Sequence, residues 1–210
     1  MNISADMLRL YAVTDRRRLG GRTLAEAVDE AIRGGVTCVQ LREKELDPAD
    51  LLNEARLILA VCRKHHVPLI INDDPEIARK CGADGVHVGQ KDLSPRILRS
   101  MLGPDKIVGV SAATVAEAVQ ACRDGADYLG CGAVFPTDTK QNTRPVDAAL
   151  LRAVCAASAV PVVAIGGITA ENAVQLKGSG IAGIAVVSAI FAQSDPKAAA
   201  AHLRTVSEEF

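Results

Sequence analysis

Eight short apolar runs punctuate the chain: LYAVTD, TCVQLRE, PLIIND, GVHVG, KIVGVS, YLGCGAV, PVVAIGG and GIAVVSA. Their length and β-branched content predict strands buried on both faces. Between them, apolar positions fall at helical spacing, which predicts helices near residues 23–33, 48–65, 75–81, 94–102, 114–124, 147–158, 170–177 and 196–208. Glycine closes several helices before the next strand, as in RGGVTC, KCGADGVHV, RDGADYLG and KGSGIAGIAV. Helix starts are marked by Asp47-Pro48, Asp74-Pro75, Ser94-Pro95 and Asp195-Pro196, each pairing a capping side chain with a proline suited to the first helical position.

Strand and helix therefore alternate along the whole chain, without a linker or low-complexity stretch. The predicted class is α/β, a single-domain (β/α)8 TIM barrel over residues 1–210. An open doubly wound sheet is the rival. It is disfavoured because the first strand leads into VTDRRRLGG rather than a glycine-rich dinucleotide loop.

Composition narrows the partners. Lys and Arg total 24 against 25 for Asp and Glu, so no net field draws the protein to nucleic acid or an anionic membrane. Two tyrosines, three phenylalanines and no tryptophan leave little for a base-stacking surface. The first residues lack a signal-peptide pattern and no apolar run is long enough to span a bilayer, so a cytoplasmic location is expected. Cys38, Cys62, Cys81, Cys122, Cys131 and Cys155 are scattered, and read as reduced core residues rather than a zinc site.

Candidate chemistry lies where the apolar runs turn polar. The stretch VPLIINDD ends on Asn72, Asp73 and Asp74; in a barrel, Asn72 and Asp73 would enter a shared cavity, while Asp74 caps the helix that begins at Pro75. The next strand is followed by Gln90, Lys91 and Asp92, so Asp73 and Asp92 can share a hard cation such as Mg²⁺. A solvated pair of loop acids fits the same pattern. In QLREK, alternation turns Gln40, Arg42 and Lys44 one way and Leu41 and Glu43 the other; arginine and lysine suit phosphate oxygens. The long polar connection FPTDTKQNTRP offers Thr137, Thr139 and Lys140 as an anion cradle or a surface loop, and Ser111 closes strand five. Gly166, Gly167, Val187 and Ser188 follow strands seven and eight, where backbone N–H groups commonly hold phosphate. His87, between valines, reads as a packed ring with satisfied nitrogens; His65, His66 and His202 fall on helices and are expected to face solvent.

The ordered set QLREK, INDD, HVGQKD, GVSA, FPTDTK, IGGI and VVSAI resembles the thiamine phosphate synthase family from strand two to strand eight. That resemblance implies a (β/α)8 enzyme joining hydroxymethylpyrimidine diphosphate to thiazole phosphate with Mg²⁺. On matching positions it implies a pyrimidine diphosphate site of Gln40, Leu41, Arg42, Glu43, Lys44, Asn72, Ser111 and Lys140, with Arg42, Lys44 and Lys140 acting on the leaving group. Asp73 and Asp92 would ligate the metal. Thr137, Asp138, Thr139, Gly167, Val187 and Ser188 would form the thiazole phosphate pocket. The resemblance further implies two phosphorylated substrates and a homodimer, while the charge balance and the few aromatic residues already argue against a nucleic-acid or membrane partner. Ala113, Ala133 and Asp147 depart from the family's usual histidine, proline and glycine. A thiazole tautomerase-like paralogue and a non-catalytic thiamine-phosphate sensor are the competing readings; neither requires the two acids together with the QLREK charges.

Overall fold

A computed structural model describes residues 3–137 and 144–210. The strands are Leu10–Val13 (β1), Cys38–Leu41 (β2), Leu69–Asn72 (β3), Gly85–Val88 (β4), Ile107–Ser111 (β5), Tyr128–Cys131 (β6), Val162–Ile165 (β7) and Gly183–Val186 (β8). Each pairs in parallel with the next, and β8 pairs back onto β1 to close a barrel. Closure leaves no strand edge exposed.

Alternation along each strand divides the core in two. Tyr11, Cys38, Ile70, Ile107, Tyr128, Val163 and Ala185 pack inside the barrel, whereas Leu10, Val39, Leu69, Val86, Val108, Leu129 and Ile184 pack outward under the helices. A fully parallel sheet needs apolar residues on both faces for this reason.

The helices are Leu24–Arg33 (α1), Pro48–Lys64 (α2), Pro75–Cys81 (α3), Pro95–Leu102 (α4), Val115–Arg123 (α5), Ala148–Ala157 (α6), Ser188–Phe191 (α7) and Pro196–Ser207 (α8). Asp47, Asp74, Asp147 and Asp195 each accept hydrogen bonds from backbone N–H groups of the first turn they precede. Ser94 makes no such bond, and nothing in the structure explains the difference. Gly82, at φ 79°, closes α3 in the left-handed conformation that glycine adopts without steric cost.

Three expectations are corrected. The helix expected at residues 170–177 is a short 3-10 turn, Ala173–Leu176. The chain leading into it is capped reciprocally, with Asn172 Oδ1 accepting from Thr169 N at 2.8 Å and Asn172 N donating to Thr169 Oγ1 at 3.4 Å, and nothing in the structure explains why the turn stays short. Second, the last apolar run does not stay extended to its end, because Ser188 and Ala189 begin α7. Third, His65 is not simply solvent-facing; its Nε2 lies 2.8 Å from Asp29 Oδ1.

Candidate active site

The C-terminal strand ends surround one cavity. Its lining includes Gln40, Arg42 and Lys44 from β2 and its loop, Asn72 and Asp73 from β3, His87 and Asp92 from β4, and Ser111 from β5. Thr137, Gly166, Gly167, Val187 and Ser188 complete the opposite side. Asp138, Thr139 and Lys140 lie outside the described residues.

Two residues of the QLREK segment do not line the cavity. Leu41 is packed in the outer core, and Glu43 turns to Arg16, whose Nε lies 2.6 Å from Glu43 Oε2. Strand alternation is the cause: side chains that flank an inward Arg42 must point outward. Neither Leu41 nor Glu43 therefore offers its side chain to a ligand in the cavity.

Asp73 is held in an uncommon conformation. Its φ of 61° lies in the left-handed region, which Asp tolerates better than most residues. Three interactions fix it: its N–H donates to His87 O at 2.8 Å, Oδ1 accepts from Asn72 Nδ2 at 2.8 Å, and the Lys44 ammonium contacts Oδ2. On the adjacent loop, Asp92 Oδ2 accepts from Gly89 N at 2.7 Å. Among the described residues, the β2–β4 wall thus carries two cationic and two anionic side chains, while the lining contributed by β7, β8 and their loops has no charged side chain. On that second wall, Gly167 has φ 63°, and a Cβ there would lie 2.3 Å from Pro136 O; glycine lets the β6 and β7 loops meet.

A family model described as thiamine monophosphate synthase matches residues 10–190. The chain belongs to the thiamine monophosphate synthase family. The thiamine-phosphate synthase of Ruminiclostridium cellulolyticum is 51% identical over 194 residues, covering 92% of each chain. The chloroplastic thiamine biosynthetic bifunctional enzyme TH1 of Arabidopsis thaliana is 51% identical over 193 residues, but the match spans only 37% of its length. A solved thiamine phosphate pyrophosphorylase from Pyrococcus furiosus superposes with TM-score 0.89 at 35% identity, covering 98% of both chains. A 3-hexulose-6-phosphate synthase from Salmonella typhimurium, at TM-score 0.70 and 18% identity, shares the fold. As a thiamine monophosphate synthase family member, the chain is an enzyme of thiamine biosynthesis and a transferase.

The donor set of this family member suits Mg²⁺. Asp73 and Asp92 supply hard carboxylate oxygens from neighbouring loops of one cavity. Among the described residues no group of three or more His, Cys, Asp or Glu side chains forms a closed cage. Mg²⁺ commonly takes one or two carboxylates and leaves places for water and phosphate oxygens. Thiol chemistry fits poorly: burial pushes Cys62 and Cys131 up to about 12 and Cys155 up to about 11, so these thiols stay protonated.

Sequence reasoning missed the cavity floor. Tyr11 and Tyr128 are fully buried inside the barrel with hydroxyls 2.7 Å apart, and Tyr11 lines the cavity. His87 does have hydrogen-bonded nitrogens, as expected, yet it also lines the cavity. Small residues beside them were the available signal: a Cβ on Gly109 would lie 2.1 Å from Tyr128 Cζ, and one on Gly130 would lie 3.1 Å from His87 Cε1. Glycine at inward strand positions marks room reserved for a large neighbour.

Proposed function

We propose that this cavity joins 4-amino-5-hydroxymethyl-2-methylpyrimidine diphosphate to 4-methyl-5-(2-phosphooxyethyl)thiazole, giving thiamine phosphate and pyrophosphate. The observation that carries the reading is the charge asymmetry of one cavity: Arg42, Lys44, Asp73 and Asp92 on one wall, and uncharged backbone around Gly167, Val187 and Ser188 on the other. Two phosphorylated substrates need two anion sites of different character. A diphosphate that must leave belongs beside the cations, and a phosphate that only anchors belongs at the neutral loops.

In this reading the bond between the pyrimidine methylene carbon and the diphosphate oxygen breaks, and the electron pair leaves with pyrophosphate. Arg42 and Lys44, with Lys140 from the β6–α6 connection, hold the oxygens on which that charge grows. Gln40, Asn72 and Ser111 hold the pyrimidine, whose ring amine stabilises the methylene cation. Thr137, Asp138 and Thr139 join Gly167, Val187 and Ser188 around the thiazole phosphate, so that the thiazole nitrogen forms the new C–N bond. No protein nucleophile takes part. Asp73 and Asp92 would hold Mg²⁺, which when bound supplies charge neutralisation at the diphosphate. The barrel acts by bringing two rings together in line.

No helix among the described residues is long and apolar enough to cross a membrane. We also propose a cytoplasmic location, supported by six free cysteines, and a homodimer, which rests on the family resemblance. The deciding experiment incubates purified protein with both substrates and Mg²⁺ and measures pyrophosphate release. Release that requires both substrates is expected; folded protein without release would refute the reading in favour of a binding protein, and thiazole isomerisation without condensation would point to a tautomerase.

A further inference from the structure

Five polar side chains from five strands form one hydrogen-bonded chain across the cavity floor. Gln40 Nε2 is 2.9 Å from the Tyr11 hydroxyl, which is 2.7 Å from the Tyr128 hydroxyl. Tyr128 in turn is 2.9 Å from His87 Nδ1, and His87 Nε2 is 2.9 Å from Ser111 Oγ. Burial, reinforced by their mutual proximity, pushes Tyr11 well above the ordinary tyrosine range; burial does the same for Tyr128. Both hydroxyls therefore keep their protons, and every link has one hydrogen to share.

The hydrogens can then be counted in order. An amide nitrogen only donates, so Gln40 gives a hydrogen to Tyr11. Tyr11 can direct its own proton to the Tyr128 oxygen or to the nearby Cys38 sulfur, and the hydroxyl oxygen is the better acceptor, which sets the order of the chain. In that order Tyr128 gives its proton to His87 Nδ1, 2.9 Å away. A neutral imidazole that accepts at Nδ1 carries its hydrogen on Nε2, and that hydrogen goes to Ser111 Oγ. The Ser111 proton is left to point away from His87, and Gln40 Oε1 is left on the side away from Tyr11. Both Gln40 and Ser111 line the cavity.

We propose that Tyr11, Tyr128 and His87 are positioning residues that fix the polarity of the cavity: Gln40 presents an acceptor and Ser111 presents a donor to the substrate ring and its substituents. The proposal rests on the synthase reading and deepens it. An acceptor at Gln40 matches the exocyclic amine of an aminopyrimidine and opposes an oxo group at the same ring carbon. The floor would thus select amino over oxo pyrimidines through residues that do not themselves contact the reacting atoms. The space for the chain is built into the barrel, because Gly109 and Gly130 leave room for Tyr128 and His87.

Wild-type protein with ¹⁵N-labelled histidine gives the direct test. The chain has four histidines, and comparison with His87→Gln assigns the His87 ring. Long-range ¹H–¹⁵N correlation is expected to show the Nε2–H tautomer; an Nδ1–H ring would reverse the hydrogen order and overturn the proposal. Tyr128→Phe supplies the functional arm, by breaking the chain at its centre. Its KM for the pyrimidine diphosphate is expected to rise about tenfold, the effect of one or two lost neutral hydrogen bonds, with KM for the thiazole phosphate unchanged. Preference for the amino substrate over its oxo analogue should fall alongside. Equal changes in both KM values, or none, would refute the positioning role. Wild-type protein that releases no pyrophosphate would refute the synthase reading instead, and the tautomer measurement would still decide the hydrogen order.

Discussion

Removing Arg16 should make the stability of this barrel depend on pH in a specific way. Glu43 follows β2, points away from the cavity and is buried, its side chain 3% exposed. One oxygen, Oε1, has no hydrogen-bond partner among the described residues, and the other is held by Arg16 Nε at 2.6 Å. Burial raises the Glu43 carboxyl above its ordinary value, and the Arg16 guanidinium pulls it part of the way back. In Arg16→Ala the opposing cation is gone and burial acts alone. Stripping a partner from a fully buried ion pair costs about 3–5 kcal/mol. The Arg16 side chain is 35% exposed, so water can replace part of what it supplied, and about 2–3 kcal/mol is expected with Glu43 ionised.

The direction with pH follows from linkage. An acid whose folded pKa exceeds its unfolded value holds its proton more tightly in the folded state. Its stabilising contribution is complete below the unfolded value, about 4.3 for Glu, and is lost as pH rises through the folded value. Arg16→Ala moves the folded value further up, so the loss extends to higher pH than in the wild type. Urea denaturation at about pH 5 and about pH 8 should show a deficit that widens at the higher pH. Arg16→Ala combined with Glu43→Gln should abolish that widening, which also controls for the bond from Arg16 to Glu54. A deficit independent of pH, or one untouched by Glu43→Gln, would refute the argument. Because Glu43 sits between Arg42 and Lys44, the same variant should raise KM for the diphosphate substrate.

Other expectations are independent of that pair. Gly109→Ala places a Cβ 2.1 Å from Tyr128 Cζ inside a packed barrel and should cost about 3 kcal/mol by urea denaturation; a loss under about 1 kcal/mol would mean that the floor repacks freely. Asp195→Ala removes the bond from Ala198 N to the α8 cap and should cost about 1 kcal/mol while leaving kcat/KM unchanged. Asp73→Asn should lower turnover more than thiazole phosphate binding, measured by steady-state kinetics and calorimetry; equal losses would contradict two separate anion sites.

What the sequence made legible was mostly local. The alternation of apolar strands with helices, three of them begun by Asp-Pro pairs, foretells the βα order, and eight such units imply the closed ring that the pairing of β8 with β1 completes. The strand-end polar groups were legible as breaks in apolar runs: Arg42, Lys44, Asn72, Asp73, Asp92 and Ser111 do come together on one cavity. Leu41 and Glu43 enter the binding segment through the family resemblance, and their side chains point away from the cavity, as the strand alternation indicates. Apolar spacing also overstated the helix expected after β7, which is only the 3-10 turn Ala173–Leu176. Tyr11 and Tyr128 were illegible as a pair, since their hydroxyls meet only across the finished barrel, 117 residues apart.

The same geometry explains why the floor, rather than the rim, was hidden. Advancing two residues along an inward-facing strand lifts the side chain one layer towards the cavity mouth. β2 and its loop read Cys38, Gln40, Arg42; β3 reads Ile70, then Asn72; β5 reads Ile107, Gly109, Ser111. Apolar packing at the bottom therefore gives way to neutral polar groups and then to charge where solvent and phosphate can reach. Charge at a strand end advertises itself in a sequence, whereas the tyrosines buried inside the barrel, Tyr11 and Tyr128, look like core. The layers should also separate by phenotype: substitutions at the bottom act on stability, those in the middle on which ring is bound, and those at the rim on how fast the diphosphate leaves.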